Sequence, residues 1–148
     1  MAAPTPDRTT ADAQAFDHPL LQGFLAYRDF LATAEWPTAD VLTAALDRGV
    51  DECSAPIRFG AQTAVLLADG LHYEQRIAQR GVIATREHNW HDLFNALIWL
   101  RHPQIKVALN ARQVADIAEI GPKARTRGQC AMTQFDEAGA IVWCADPA

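Results

Sequence analysis

The segment from His88 to Arg101 concentrates side chains that can do chemistry on one predicted helix. At about 100° per residue, one face carries a polar and aromatic stripe, with His91 at its edge: His88, Asp92, Asn95, Trp99 and His102. The opposite face, from Trp90 to Leu100, is apolar, so both flanks of the helix are expected to be buried. Because an unpaired buried polar group costs roughly 1–3 kcal/mol, the stripe needs a hydrogen-bond network or a site open to ligand and water.

Two pairs in this segment have the spacing of metal ligands. His91 and Asn95 are four residues apart, as are His88 and Asp92, and side chains at this spacing point together from one helical face. A divalent metal is therefore a candidate cofactor, with His91 and Asn95 as its ligands. A structural interpretation competes with it, since Asn89 followed by Asp92 is typical of a capping box. A structural role and a catalytic or ligand-binding role are both open for His91.

Hydrophobic spacing and helix breakers predict the elements of the N-terminal half. Residues 18–34 have apolar side chains at helical spacing, which predicts a helix. A second helix is expected to begin after Thr38 and to end at Gly49. Residues 55–59 are strand-like, and residues 63–68 are ambiguous between strand and helix.

Two β-hairpins are predicted in the second half of the chain. Residues 71–77 alternate between apolar and polar side chains, and Gly81 is suited to the turn before a returning strand. The expected order is hairpin 71–85, helix 89–101, a helix from Pro103 to Gly121, and a hairpin with strands 130–135 and 140–144. The fold class is thus α+β, with helices at the N-terminus, a β-hairpin, two central helices and a second β-hairpin.

Length and composition are typical of one globular domain. The chain has 148 residues, of which 49% are hydrophobic and 21% charged, which does not fit a disordered protein. Residues 1–16 are expected to be a flexible tail, and residues 17–148 a single α+β domain. No apolar run approaches the roughly 18 residues that span a membrane, and the N-terminus lacks the pattern expected of a signal peptide. Three cysteines without a C-x-x-C pair fit the cytoplasm.

The distribution of charge limits the class of partner. A net charge of −5 does not favour binding of nucleic acid. Residues 73–112 nevertheless carry six basic and three acidic side chains, a modest cationic region. This region suits a small anionic ligand.

A hairpin that runs directly into a helix bearing His and Asn is the element order of the ββα-metal, or His-Me finger, nucleases. In such a mechanism a His activates water while a metal stabilises the leaving oxygen. His72 or Glu74 on the first strand would then act as the base, and Arg86 or Arg112 would hold a phosphate. Asn110, on the same predicted helix as Arg112, would reach toward the stripe. The comparison is one of topology alone, because no Asp-His pair ends the first strand.

Five motifs resemble a known bacterial family. They are Y-E-x-R-I at 73–77, G-V-I-x-T-R at 81–86, N-W-H-D-L-F-N-A-L-I-W-L at 89–100, P-x-x-K-x-A-L-N-A-R at 103–112 and F-D-E-x-G at 135–139. On these motifs the chain is identified as a member of the family called domain of unknown function 3025. The resemblance implies no activity, cofactor or catalytic residue. It does imply that members tend to carry Arg-Asp where this chain has Gln129-Cys130.

The same resemblance implies that members continue past the second predicted hairpin, whereas this chain ends at Ala148. We therefore expect a short or C-terminally truncated member. A subunit whose edge strand near Cys144 pairs with a second copy is an alternative, because an uncovered edge strand favours pairing.

Two functions are consistent with these residues. The first is a metal-assisted hydrolase acting on a phosphate ester. Its candidate catalytic residues are His91, Asp92, Asn95, Glu74 and His72, and its candidate binding residues are Asn89, Arg86, Trp99, Asn110 and Arg112. The second is a non-catalytic binding or assembly module, in which the stripe is a structural hydrogen-bond network. No phosphate-binding loop, H-E-x-x-H motif or nucleophile elbow identifies a reaction.

Overall fold

The computed structural model describes Arg8, residues 16–48 and residues 56–139. The first elements are a 3-10 helix (Pro19–Tyr27), α1 (Arg28–Ala32) and α2 (Ala39–Asp47). Next come β1 (Arg58–Ala61), α3 (Ala64–Leu67), α4 (Tyr73–Arg80) and β2 (Val82–Thr85). The last three are α5 (Trp90–Arg101), α6 (Pro103–Ile120) and α7 (Arg127–Ala138). None of these helices is long and apolar enough to cross a membrane.

The described residues are mostly helical, with one small parallel sheet, which fits the α+β class. Strands β1 and β2 pair in parallel, with Arg58 opposite Val82 and Ala61 opposite Thr85. Parallel strands need a crossover connection, and here α3 and α4 form it. The predicted hairpin 71–85 is therefore wrong: its first arm is helix α4, and its second arm pairs with β1 instead.

The error in the first hairpin has a specific cause in the sequence. Tyr73 and Ile77 are four residues apart, so they share a face both in a strand and in a helix. The residues at the two ends of the segment favour the helix. His72 and Gln75 form a capping box at its start. Gly81 ends it in the left-handed conformation, with a φ of 62°, where a Cβ would collide with the Pro56 carbonyl.

The second predicted hairpin is also contradicted in its first arm. Residues 130–135 lie within α7, which begins with a capping box between Thr126 and Gln129. Residues 140–144, the predicted second arm, lie outside the described residues. The edge strand near Cys144, and pairing of copies through it, therefore stay predictions.

Several predictions made from breakers and caps are confirmed. Thr38 caps α2 and Asn89 caps α5, each by accepting a hydrogen bond from a backbone N–H three residues on. Helix α6 begins at Pro103 and ends at Gly121. Within the predicted tail, Arg8 and Phe16 are described: Arg8 is buried and Phe16 packs against the core. The flexibility of residues 1–16 stays a prediction.

The core fixes the position of α5. Its apolar face, including Leu93, Ala96, Leu97 and Leu100, packs in one buried cluster with residues of α2 and both strands. Ala96 and Leu97 are completely buried, so the helix cannot rotate without exposing them. The polar face of α5 is consequently held toward α4 and α6.

Candidate functional site

A cavity of about 740 Å³ lies against the polar face of α5. Helices α4, α5, α6 and α7 all contribute side chains to its wall. The polar part of that wall includes His72, Glu74, His91, Asn95, Lys106 and Asp136. A cavity of this size, with a few converging polar groups, is typical of small-molecule sites.

His91 and Asp92 form a hydrogen-bonded pair at the start of α5, which we call the dyad. His91 Nδ1 lies 3.0 Å from Asp92 Oδ1. The histidine side chain is 68% exposed, whereas the aspartate side chain is 10% exposed. An ionised carboxylate only accepts hydrogen bonds, so Nδ1 carries a proton, and in the neutral ring the lone pair is on Nε2. The neutral ring of the dyad thus offers an acceptor nitrogen on a residue that lines the cavity.

Arg86 holds the carboxylate of the dyad in its ionised form. Asp92 accepts hydrogen bonds from the Arg86 backbone N–H (2.7 Å) and from Nε (3.1 Å) and Nη2 (2.7 Å) of its guanidinium. Burial opposes ionisation of Asp92, but the hydrogen bonds from Arg86 and His91 outweigh it and lower the pKa of Asp92. The predicted capping box is therefore only half formed. Asn89 caps the Asp92 N–H, but the carboxylate bonds Arg86 rather than reaching back to Asn89.

Four side chains next to the dyad form a second cluster, which we call the buried network after its buried lysine, although Asp136 is one-third exposed. Tyr73, Asn95, Lys106 and Asp136 are its members. Asn95 accepts a hydrogen bond from Lys106 Nζ (2.9 Å), and its Nδ2 donates to the Tyr73 hydroxyl (3.1 Å). Lys106 Nζ also donates to both carboxylate oxygens of Asp136, each at 2.8 Å. The network thus ties α4, α5, α6 and α7 together through side chains alone.

Burial affects two members of the buried network, Lys106 and Tyr73. The Lys106 side chain is only 7% exposed, and its Nζ also lies 5.4 Å from the centre of the Trp99 ring. Burial raises the pKa of Tyr73 to about 12, despite the opposing hydrogen bond from Asn95. The indole N–H of the buried Trp99 also acts to lower the pKa of Tyr73. It forms no hydrogen bond with any described residue. Tyr73 therefore stays protonated at neutral pH.

The pKa of Glu74 is shifted in the opposite direction to that of Asp92. Asn110 Nδ2 donates to Glu74 Oε2 at 2.6 Å and to the Glu74 backbone carbonyl at 2.9 Å. Burial raises the pKa of Glu74, and the hydrogen bond from Asn110 and the charge of Lys106 offset this only in part. The cavity wall therefore holds two carboxyl groups whose pKa values are displaced in opposite directions.

His72 has a capping role that fixes its tautomer. Its Nδ1 accepts the backbone N–H of Glu74 at 3.4 Å, at the first turn of α4. A nitrogen that accepts this bond has no proton, so the neutral ring carries its proton on Nε2. His72 therefore offers the cavity a donor, whereas His91 offers an acceptor.

The structure brings together most of the residues predicted for the site. Eight of them line the cavity: His72, Glu74, Arg86, His91, Asp92, Asn95, Trp99 and Asn110. Two do not. Asn89 is the N-cap of α5 and faces a different, small pocket, and Arg112 is a largely exposed residue that pairs with Asp116 on its own helix.

The contacts of Asn95 do not favour the predicted metal site, because its Oδ1 already accepts from the ammonium of Lys106. The contact of His91 Nδ1 with Asp92 leaves Nε2 able to bind a metal, so a metal ligand at His91 stays a prediction. A metal cation at Asn95 would thus meet the positive charge of Lys106. Within the described ranges, no group of three or more His, Cys, Asp or Glu side chains could hold a metal ion. The nuclease comparison also loses its basis, because hairpin 71–85 does not form.

Sequence reasoning missed Tyr73, Lys106 and Asp136 as site residues. Each nevertheless stands in one of the family motifs: Tyr73 begins Y-E-x-R-I, Lys106 lies in P-x-x-K, and Asp136 follows Phe135. Asp136 was expected in a hairpin turn, and its place near the end of α7 brings it to Lys106 instead.

Comparison with known proteins gives one match. No curated protein and no solved structure matches the chain. A family model, described as Protein of unknown function (DUF3025), matches residues 57–148 and so includes β1, β2 and helices α3 to α7. The motifs at 73–77, 89–100 and 103–112 lie within this range and supply part of the cavity's polar wall, namely Glu74, His91, Asp92, Asn95, Lys106 and Asn110. The chain belongs to the DUF3025 family.

Proposed function

We propose that the cavity is the active site of a hydrolase that cleaves an ester of a small anionic molecule by acid–base catalysis. The observation that carries this proposal is the opposed pair of carboxyl groups. Hydrogen bonds from Arg86 lower the pKa of Asp92, which orients His91, while burial raises the pKa of Glu74. Titratable groups whose pKa values are pushed apart in one cavity are a common basis for assigning an acid and a base.

Each group has a defined role in this proposal. Nε2 of His91 removes a proton from a water molecule that attacks the ester, and Asp92 stabilises the imidazolium that forms. Glu74 donates its proton to the leaving oxygen. Arg125, an exposed cation on the cavity wall, attracts the anionic group of the substrate, and Arg86 adds to the positive potential there. Proton transfer by such groups typically accelerates a reaction by about 10²–10⁴-fold.

The buried network supports a second candidate function. Its ion pair and hydrogen bonds link four helices around the cavity, as in a binding module that needs no reactive group. In this alternative the cavity binds a small molecule without converting it. Binding would then raise the melting temperature while no product forms.

A substrate panel with matched variants distinguishes the two candidates. The purified protein is assayed with nitrophenyl esters of phosphate, phosphodiester and acetate, with EDTA present to remove loosely held metal. We expect hydrolysis of one class and a decrease in kcat of at least about 100-fold in His91→Ala. Glu74→Gln should lose much less activity, because nitrophenolate is a good leaving group that needs little help from an acid. His18→Ala, which removes an exposed histidine that does not line the cavity, is the control and should keep full activity.

Two results would overturn the hydrolase. The first is activity that His91→Ala retains. The second is a ligand that raises the melting temperature of the wild-type protein and of His91→Ala equally, without turnover on any ester. The second result would favour the binding module.

A further inference from the structure

A separate aromatic cluster lies at the start of α5, outside the cavity wall. Trp36 and Trp90 meet with ring centroids 4.9 Å apart and ring planes inclined at 60°. The guanidinium of Arg8 lies against both rings. Its central carbon is 4.7 Å from the Trp36 centroid and 5.2 Å from the Trp90 centroid. Both distances are within the range of cation–π attraction.

Two backbone carbonyls complete the enclosure of Arg8. Its Nε donates to the Thr33 carbonyl at 2.8 Å, and its Nη2 donates to the Phe30 carbonyl at 2.7 Å. The residue is only 5% exposed. Its third nitrogen, Nη1, is buried and has no hydrogen-bond partner among the described residues. No ion pair between described residues includes Arg8. Among these residues, its positive charge is stabilised by the two ring faces and the two carbonyl oxygens.

The walls of this enclosure are held in place by contacts that do not involve Arg8. Trp36 stacks on His88, with ring centroids 5.9 Å apart. Trp90 contacts Phe16 at 6.0 Å and Phe94 at 6.1 Å. Trp90 is also the first residue of α5, whose position the core fixes. The enclosure is therefore expected to persist when the guanidinium is removed.

We propose that the cage formed by Trp36, Trp90 and the carbonyls of Phe30 and Thr33 is a guanidinium-binding site. Arg8 fills it in this structure, and the cage accepts the arginine side chain of a peptide when Arg8 is absent. The geometry selects arginine over lysine. A planar guanidinium presents two N–H donors at fixed spacing while its face lies on an aromatic ring, whereas an ammonium is a compact point charge. A neutral side chain would lose the cation–π attraction altogether.

This inference does not rest on the proposed hydrolase. The cage shares no side chain with the cavity wall, although Trp90 and His91 are neighbours on α5. A failure of the arginine experiment would leave the dyad untouched. Loss of activity in His91→Ala would likewise say nothing about the cage.

Tryptophan fluorescence tests the proposal directly. Arg8→Ala is titrated with N-acetylarginine amide, and the wild-type protein is titrated in parallel. We expect a saturable change in Arg8→Ala, with a Kd on the order of millimolar, and none in the wild type, whose cage is filled. N-acetyllysine amide should bind at least about tenfold more weakly. Arg8→Lys should respond to the arginine ligand more weakly than Arg8→Ala, because its ammonium competes for the cage.

The opposite results would overturn the proposal. These are no saturable response in a folded Arg8→Ala protein, equal binding of the lysine and arginine ligands, or an equal response in the wild type. If Arg8→Ala does not fold alone, recovery of its native circular dichroism is measured. Recovery with the arginine ligand but not with the lysine ligand supports the cage, and recovery with neither, or with both alike, contradicts it.

Discussion

At the start of α5, the dyad pairs a buried carboxylate with a histidine that is mostly exposed. One turn further on, the buried network holds a lysine whose side chain is only 7% exposed. Both regions belong to the same polar stripe of the sequence. In the network, the ammonium and the Asn95 amide are engaged by other protein groups. In the dyad, Nε2 of His91 has no hydrogen-bond partner among the described residues. A single stripe can therefore combine a structural part with a part able to act on a ligand.

Breaking the ion pair of the buried network is the change with the largest expected effect on stability. Asp136→Ala leaves the Lys106 ammonium buried without a counter-charge. We expect a loss of about 3 kcal/mol in the free energy of unfolding, at the low end for a buried pair because Asp136 is one-third exposed. Urea denaturation measures it. The double variant Lys106→Met with Asp136→Ala should regain part of the loss, and a loss below about 1 kcal/mol in the single variant would contradict the role of the pair.

Removing the charge of Asp92 should have the next largest effect, and it should depend on pH. Its pKa in the folded protein is lowered, so its ionised form stabilises the protein above the pKa of the unfolded chain. This contribution is lost as the pH falls through the folded pKa. We expect Asp92→Asn to lower the free energy of unfolding by about 2 kcal/mol at pH 7. The difference in the free energy of unfolding between Asp92→Asn and the wild type should shrink in acid. A constant difference from pH 7 to pH 3 would contradict a lowered pKa for Asp92.

Glu74 should show the opposite pH dependence, with a smaller effect. Its pKa is raised in the folded protein, so ionisation costs stability as the pH rises from the unfolded pKa through the folded one. Glu74→Gln keeps an acceptor for Asn110 and removes that cost. Its stability relative to the wild type should therefore increase from about pH 4 toward neutral pH. Urea denaturation at several pH values measures this, and a Glu74→Gln protein that gains relative stability in acid instead would be inconsistent with a raised pKa.

His91 should contribute least to stability of the residues compared. Its side chain is 68% exposed, so His91→Ala should change the free energy of unfolding by less than about 0.5 kcal/mol. Asn95→Ala, one turn away, should cost about 2 kcal/mol because the Tyr73 hydroxyl and Lys106 each lose their hydrogen bond with Asn95. Thermal and urea denaturation of the two variants compare them directly. Equal losses would remove the distinction between the dyad and the network.

The sequence predicts the parts of this fold that depend on neighbouring residues. Asn89 and Thr38 start helices, and Pro103 and Gly121 bound α6, because caps and breakers act within one turn. The residues of the polar stripe are predicted for the same reason, since they follow a helical period.

What the sequence does not predict depends on ambiguous periods and on long-range contacts. Tyr73 and Ile77 fit both a strand and a helix, and parallel pairing of β2 with β1 joins segments 24 residues apart at Arg58 and Val82. Lys106 meets Asp136 across 30 residues. No local pattern encodes these pairings. The difference in contacts between His91 and Asn95 arises from them, because Lys106 and Tyr73 form hydrogen bonds with Asn95 and not with His91.

The tautomer of His91 is the measurement that tests the account most directly, because the proposed base is its Nε2 lone pair. Nuclear magnetic resonance of the protein labelled with ¹⁵N in its histidine rings reports which nitrogen carries the proton, and His91→Ala assigns the signal. At a pH where the ring is neutral, we predict that Nδ1 is protonated and Nε2 is not, because Asp92 accepts at Nδ1. A neutral ring with its proton on Nε2 would contradict the dyad as the source of a base.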